Sequence, residues 1–224
     1  MKPIDALASV LLVAVSLLAG CGGVPNIQPK ALNSISLDAQ DWYFMHGTGT
    51  PDHPEQEPAA AWAFNIPNAP AVLGYLQTPA NLTSIPQAIS VTFRIDASSD
   101  AVYNAAIYSS RNNSTDTNPA TFHLFLERAG DDLTKEYYRW WADTTYVLGS
   151  ADNQTITLQV PLTSDHWTDV LGQHSEAEFA ATLRALAYVG LTFGGHNFAG
   201  HGVQMTGGSA RFVMLDYHFV GAGQ

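Results

Sequence analysis

The sequence predicts an all-β fold, an antiparallel β-sandwich with one short helix near residues 176–186. Three observations carry that prediction. Short apolar runs recur along the chain, each closed by turn residues, mostly glycine, proline, asparagine or aspartate. In the clearest run Ile89, Val91, Phe93 and Ile95 share one face of an alternating strand, with Ser90, Thr92 and Arg94 on the other. Only one segment carries helical spacing, so the helices that a parallel α/β sheet places between its strands are missing.

The chain opens on a segment outside this pattern. Lys2 precedes an apolar stretch over residues 6–20. A bilayer core takes about 20 residues, so the stretch is short for a span and suits a signal peptide. It ends in Leu18-Ala19-Gly20-Cys21, which resembles the bacterial lipobox. Cleavage before Cys21 would present a nucleophilic sulfur for lipid, and the chain holds no other cysteine. Residues 1–20 are therefore expected to be a lipoprotein signal peptide. Acyl chains on Cys21, palmitate among them, are expected to anchor the protein to a membrane without spanning it. Gly22 stands where lipoproteins held at the inner membrane usually carry aspartate, which favours the outer membrane. Residues 21–33, with Gly22, Gly23, Pro25 and Pro29, read as a flexible tether, and residues 34–224 as the sandwich domain.

The expected strands cover residues 42–45, 61–66, 72–76, 89–95, 103–108, 122–126, 137–141, 155–160, 188–193 and 211–220. The helix is announced by Ser175 as a cap with Glu178 three residues on, followed by an apolar stripe of Phe179, Leu183 and Leu186. It should cross an end or flank of the sandwich.

Composition excludes several classes of function. The net charge is −11, from 9 basic and 20 acidic residues. Nucleic-acid binding needs Lys and Arg against phosphate, and docking on an anionic membrane needs a basic patch. A single cysteine excludes a disulfide framework and a Cys-rich metal site. No nucleophile elbow, phosphate-cradling loop or dinucleotide fingerprint is present, so no cofactor and no catalysis are expected. Asp116, Glu127, Asp131, Asp132 and Asp165 are candidate acids by residue type alone, and the Asp131-Asp132 pair reads more simply as a hairpin turn. Asp38, Asp41 and Asp216 flank the first and last strands and are weak candidates for structural calcium.

The densest cluster is Tyr137-Tyr138-Arg139-Trp140-Trp141. On a strand, Tyr137, Arg139 and Trp141 share one side, and the guanidinium marks that side as wet. Rings that stack on sugar faces, with an arginine donating paired hydrogen bonds, form a glycan-binding surface. The competing reading is that the rings cap the sandwich edge under Arg139. His196 and His201, set among glycines, are candidate contacts on a neighbouring rim, and a polar strand connection is the plainer reading of that loop. Truncating Arg139 or Trp141 is expected to abolish binding and leave melting nearly unchanged.

Further resemblance lies in His166-Trp167-Thr168-Asp169-Val170-Leu171-Gly172, in Phe179 to Leu183, in Val189-Gly190-Leu191-Thr192-Phe193-Gly194-Gly195, in Gly200-His201-Gly202-Val203 and in Gly208-Ser209-Ala210-Arg211-Phe212. Together they resemble the C-terminal half of exported bacterial proteins, some of which carry a PEP-CTERM sorting tail. Those look like galactose-binding-type jelly rolls, the fold of many carbohydrate-binding modules. The resemblance spans roughly residues 137–220 and implies a jelly-roll sandwich and export; it implies no catalytic residue. A lipobox in place of a sorting tail sets this chain apart.

The expectation is thus a lipid-anchored cell-envelope protein that binds a carbohydrate or other polar surface ligand without catalysis. The rivals are a structural or assembly lipoprotein with a protein partner and, behind it, a polysaccharide hydrolase.

Overall fold

The computed structural model describes residues 34–105, 119–195 and 200–221. In chain order the first half holds β1 (Tyr43–Met45), β2 (Glu55–Gln56), β3 (Trp62–Asn65), β4 (Tyr75–Pro79), β5 (Ala88–Ala97), β6 (Val102–Ala105) and β7 (Ala120–Arg128). The second half holds β8 (Arg139–Val147), β9 (Thr155–Pro161), β10 (Trp167–Asp169), α1 (Glu176–Arg184), β11 (Leu186–Gly195), β12 (Val203–Gly207) and β13 (Ala210–Val220).

Six strands make one sheet in the order β1-β4-β11-β7-β8-β10, and five make a second in the order β2-β3-β13-β5-β9. A ribbon of β12 and β6 completes the set, and all these strand pairings are antiparallel. The chain passes repeatedly from one large sheet to the other, the traffic of a jelly-roll sandwich. The predicted sandwich class is the observed one.

Alternation decides what fills the space between the sheets. Ile89, Val91, Phe93 and Ile95 of β5 are all buried, as are Phe122, Leu124 and Leu126 of β7 and Val189, Leu191 and Phe193 of β11. Phe212 of β13 stacks between Phe64 and Phe93, with centroids 5.2 and 5.3 Å away and ring planes 11° and 7° apart. Trp42, Trp62 and Trp167 are fully buried, Trp42 and Trp62 with centroids 4.8 Å apart. Burying each such ring stabilises by roughly 1.5–3 kcal/mol.

α1 covers the inner side of the sheet at its β8–β10 end. The Ser175 hydroxyl accepts from the Glu178 amide at 3.4 Å, which caps the helix as expected. The Glu178 carboxylate forms an ion pair with Arg128 of β7 at 3.5 Å. Phe179 packs on Trp140 and Trp167, with centroids 5.1 and 5.9 Å away. The helix stops at Arg184, so Leu186 serves the core as the first residue of β11.

Several expected boundaries move. The strand expected over residues 72–76 begins at Tyr75, because Val72 and Leu73 form isolated bridges to Thr48 and Val203. Trp42 precedes β1 as the residue that closes a 3-10 turn. β2, β10 and β12 are too short or too polar to show as apolar runs. β6 covers residues 102–105 of the run expected to 108; the remainder lies outside the described residues. So do residues 1–33, which include the signal peptide, Cys21 and the tether.

Candidate functional site

The two sheets show solvent different chemistry. The outward positions of the five-stranded sheet carry Ser90, Thr92 and Arg94 on β5 opposite Gln159, Thr157 and Thr155 on β9, with His218 and Asp216 on β13. These are small hydroxyls and paired charges, without a ring besides the imidazole. The six-stranded sheet turns rings outward. Since Phe122, Leu124 and Leu126 of β7 face the core, Thr121, His123, Phe125 and Glu127 face away from it.

Register arranges this outer face in three rows that cross the strands. The middle row runs Tyr43, Gln77, Gly190, Phe125, Trp141 and Thr168. On one side of it lie Tyr188, Glu127 and Arg139. On the other lie Met45, Tyr75, Thr192, His123 and Thr145. Five strand spacings separate the ends of the middle row, about 24 Å at ~4.8 Å each.

The rings support one another. Tyr75 meets Phe125 edge-on at 5.1 Å and His46 at 5.3 Å. Phe125 lies 6.5 Å from Trp141, and Tyr43 stands at 89° to Tyr188 with centroids 6.0 Å apart. Phe125 is fully buried and forms the floor, while Tyr43, Tyr188 and Trp141 are half-buried and form the surface above it. Gln77 donates to the Tyr43 hydroxyl at 3.5 Å. The Trp141 Nε1–H is buried and has no acceptor among the described residues.

Three charges sit at the edge of this surface. The Arg139 Nε lies 2.8 Å from Asp131 Oδ2, and its Nη2 donates to the Leu133 carbonyl at 3.0 Å. The Asp131 side chain is fully enclosed. Burial raises the Glu127 carboxyl to about 7, with the Asp131 charge adding to the rise and Arg139 opposing it. Burial pushes the Tyr43 phenol up to about 12, against the hydrogen bond from Gln77. It also raises Tyr75, against the Arg139 charge and hydrogen bonds from Thr192 and Arg139.

The residues picked from sequence fall unevenly on this face. Arg139 and Trp141 lie on it. Tyr137 does not share their strand: β8 begins at Arg139, and Tyr137 is exposed in the 3-10 turn Glu136–Tyr138 before it. His201 is exposed beside Gly200, which rests against the Tyr75 hydroxyl, at the Tyr75 side of the face. His196 lies outside the described residues. Asp131 and Asp132 form the expected turn, accepting from the Leu133 and Thr134 amides at 3.0 and 3.1 Å. Asp38 caps the Gln40 amide at 3.0 Å, Asp216 meets His218 at 2.7 Å, and Asp41 is exposed. Among the described residues no three His, Cys, Asp or Glu side chains group to hold a metal.

Sequence reasoning missed Tyr43, Tyr75, Gln77, Phe125 and Tyr188, and gave Glu127 no position. Tyr43, Tyr75 and Gln77 lie on the short strands β1 and β4, Phe125, Glu127 and Tyr188 lie on the longer β7 and β11, and only the register across these four strands brings them together. A separate open groove of about 330 Å³ is lined by Thr50, His53, Glu55, Asn65 and Asn68 among others, at the opposite edge of the sandwich from Arg139. Its Glu55 is already paired with Arg211 at 2.7 Å.

No protein-family profile matches the chain, and no curated protein matches it. Six solved chains match in structure. One is the xylan-binding module CBM15, with TM-score 0.42, 12% identity, and coverage of 81% of this chain and 94% of that one. Another is a protein provisionally assigned as a glycoside hydrolase from Bacteroides thetaiotaomicron, with TM-score 0.38, 8% identity, and coverage of 83% of this chain and 59% of that one. Likeness at this level carries no conclusion about ligand or chemistry.

Proposed function

We propose that this protein binds a glycan across the outer face of the six-stranded sheet and does not transform it. One observation carries the reading: Tyr43, Trp141 and the flanking Tyr188 are half-buried rings set in register across that sheet over the Phe125 floor, with Gln77 in the middle row and Glu127 and Arg139 in the row beside it. Ring faces suit the C–H faces of sugars, and side-chain amide, carboxylate and guanidinium groups suit their hydroxyls. The opposite sheet offers no comparable face. A glycan array probed with the full chain in detergent tests the reading. Binding lost on Trp141→Ala supports it, and an array without signal removes it. Incubation with a polysaccharide panel should release no new reducing ends; turnover would make the protein a hydrolase.

The anchor belongs to the same proposal. Cys21 carries lipid and holds the sandwich at the cell envelope, with the outer membrane favoured. Labelled palmitate should enter the chain and fail to enter Cys21→Ser.

A second reading has its own observation. Leu133, Tyr137, Val170 and Leu171 are exposed, and Val170 donates to the Glu136 carbonyl at 3.3 Å, which draws the two turns together beside Arg139. Such a patch would suit a protein partner in envelope assembly. A cross-linked partner lost on Leu171→Glu, with glycan binding absent, would favour it.

A further inference from the structure

The outer face sets two acids, Glu127 and Asp131, beside one cation, Arg139. Glu127 lies between Tyr188 and Arg139 in register. Arg139 opposes the rise of the Glu127 carboxyl but also serves other partners, with its Nε 2.8 Å from Asp131 Oδ2 and its Nη2 donating to the Leu133 carbonyl at 3.0 Å. The Asp131 side chain is fully enclosed, so that pair is internal to the protein. Two acids therefore share one guanidinium, and Glu127 stands in register beside Tyr188.

The other nearby cations are occupied away from this row. Lys135 donates to the Gly130 carbonyl at 2.7 Å and lies 4.6 Å above the Tyr138 ring. Arg128 lies 4.5 Å above the same ring and pairs with Glu178 of α1. The groups acting on Glu127, or acted on by it, are Asp131 and Arg139, and the phenols of Tyr43 and Tyr75. None of these but Arg139 supplies positive charge.

We propose that the glycan taken by this face carries free amino groups, one of which docks against Glu127. The inference rests on the glycan reading above and names its substrate class. An ammonium adds positive charge to that which Arg139 divides between Glu127 and Asp131. The same ammonium is suited to the half-buried faces of Tyr43, Tyr188 and Trp141, since cations are attracted to ring faces within about 6 Å. Partial burial strengthens both contacts by lowering the local dielectric. A uronate at this position would meet like charge. An N-acetylated sugar would offer an amide N–H without net charge.

Calorimetric titration of the full chain in detergent at neutral pH tests this with three oligosaccharides of equal length. They are built of glucosamine, of N-acetylglucosamine, or of galacturonic acid. The glucosamine oligomer should bind about tenfold tighter than the acetylated one, a difference of about 1.4 kcal/mol. The uronate should bind weakest, and added salt should narrow the spread. Glu127→Gln should erase the difference between the amine and the acetylated oligomer. Equal affinity for those two in the wild-type chain overturns the amine assignment and leaves the glycan reading standing. Binding of no oligosaccharide overturns both. The wild-type comparison decides the matter even where Glu127→Gln fails to fold.

Discussion

The hydroxyl of Tyr217 donates to the carbonyl of Gly190 across the core, at 3.1 Å. Tyr217 is a buried residue of β13 in one sheet; Gly190 lies at the centre of the ring-bearing row in the other. One hydrogen bond thus ties the floor of the candidate site to the opposite sheet. Burial pushes the Tyr217 phenol up, so it stays a donor throughout the ordinary pH range. Tyr217→Phe removes the donor and is expected to cost about 1 kcal/mol, or a melting drop of about 2–4 °C. Gly190→Ala should cost more, because an added Cβ would stand 2.1 Å from the Leu76 carbonyl oxygen of β4. Thermal denaturation reads both, and a Tyr217→Phe protein that melts like the wild type would show the bond contributes nothing.

Adjacent residues on β8 should separate stability from binding. Trp140 is fully buried, and its Nε1–H is shared between the Tyr137 carbonyl and the Thr182 hydroxyl, each at 3.0 Å. Trp140→Ala leaves a cavity against Phe179 and should cost about 3–5 kcal/mol. Trp141→Ala removes a half-buried outer ring, so its larger effect should be on ligand affinity. Arg139→Ala will not behave as the sequence alone predicts. It strands the enclosed Asp131 carboxylate, and losing one partner of a buried pair costs about 3–5 kcal/mol. Adding Asp131→Asn should restore part of that loss, which a double-mutant cycle measures. Full additivity would mean the pair does not interact.

The sandwich was legible because a two-residue period survives without partners. Ile89 to Ile95 announces one buried face whichever strand lies beside it. Arg139 and Trp141 were legible as a shared outer face for the same reason. Tyr137 was not, since the strand period was carried two residues too far into a 3-10 turn. The remainder of the site depends on register. Tyr43 stands opposite Gln77, which stands opposite Gly190, and the strands concerned are far apart in sequence. Strands of three to five residues, such as β1 and β4, hold too few positions to declare which face is outward.

Gly200 should matter more than its place in a polar loop implies. Its φ of +79° lies in the left-handed region, and a Cβ there would stand 2.1 Å from the Tyr75 hydroxyl oxygen. Tyr75 in turn packs on Phe125 under the ring-bearing surface. Gly200→Ala should therefore combine backbone strain of about 1–2 kcal/mol with displacement of Tyr75, weakening ligand binding as well as stability. Gly130 is the control, because its φ is also +79° and nothing lies within 4 Å of its added Cβ. Gly130→Ala should show the strain alone. Equal affinity losses in the two variants would mean that the Gly200 contact plays no part in the site.

Stability should fall with rising pH in a window set by Glu127. Its carboxyl is raised from 4.5 to about 7, first by burial and then by the Asp131 charge. Between those two values the folded chain keeps a proton that the unfolded chain releases. Unfolding is then favoured as pH rises, and the effect levels off above about 7. Asp96 acts in the opposite sense: the Arg94 hydrogen bond holds it below the usual carboxylate range, so its contribution is lost as pH falls. The melting difference between Glu127→Gln and wild type cancels such shared terms. It should be near zero below pH 4.5, grow up to about pH 7 in favour of the variant, and stay constant above. A difference that is flat across this window would place Glu127 in solvent, and a ligand ammonium would then gain nothing from docking there.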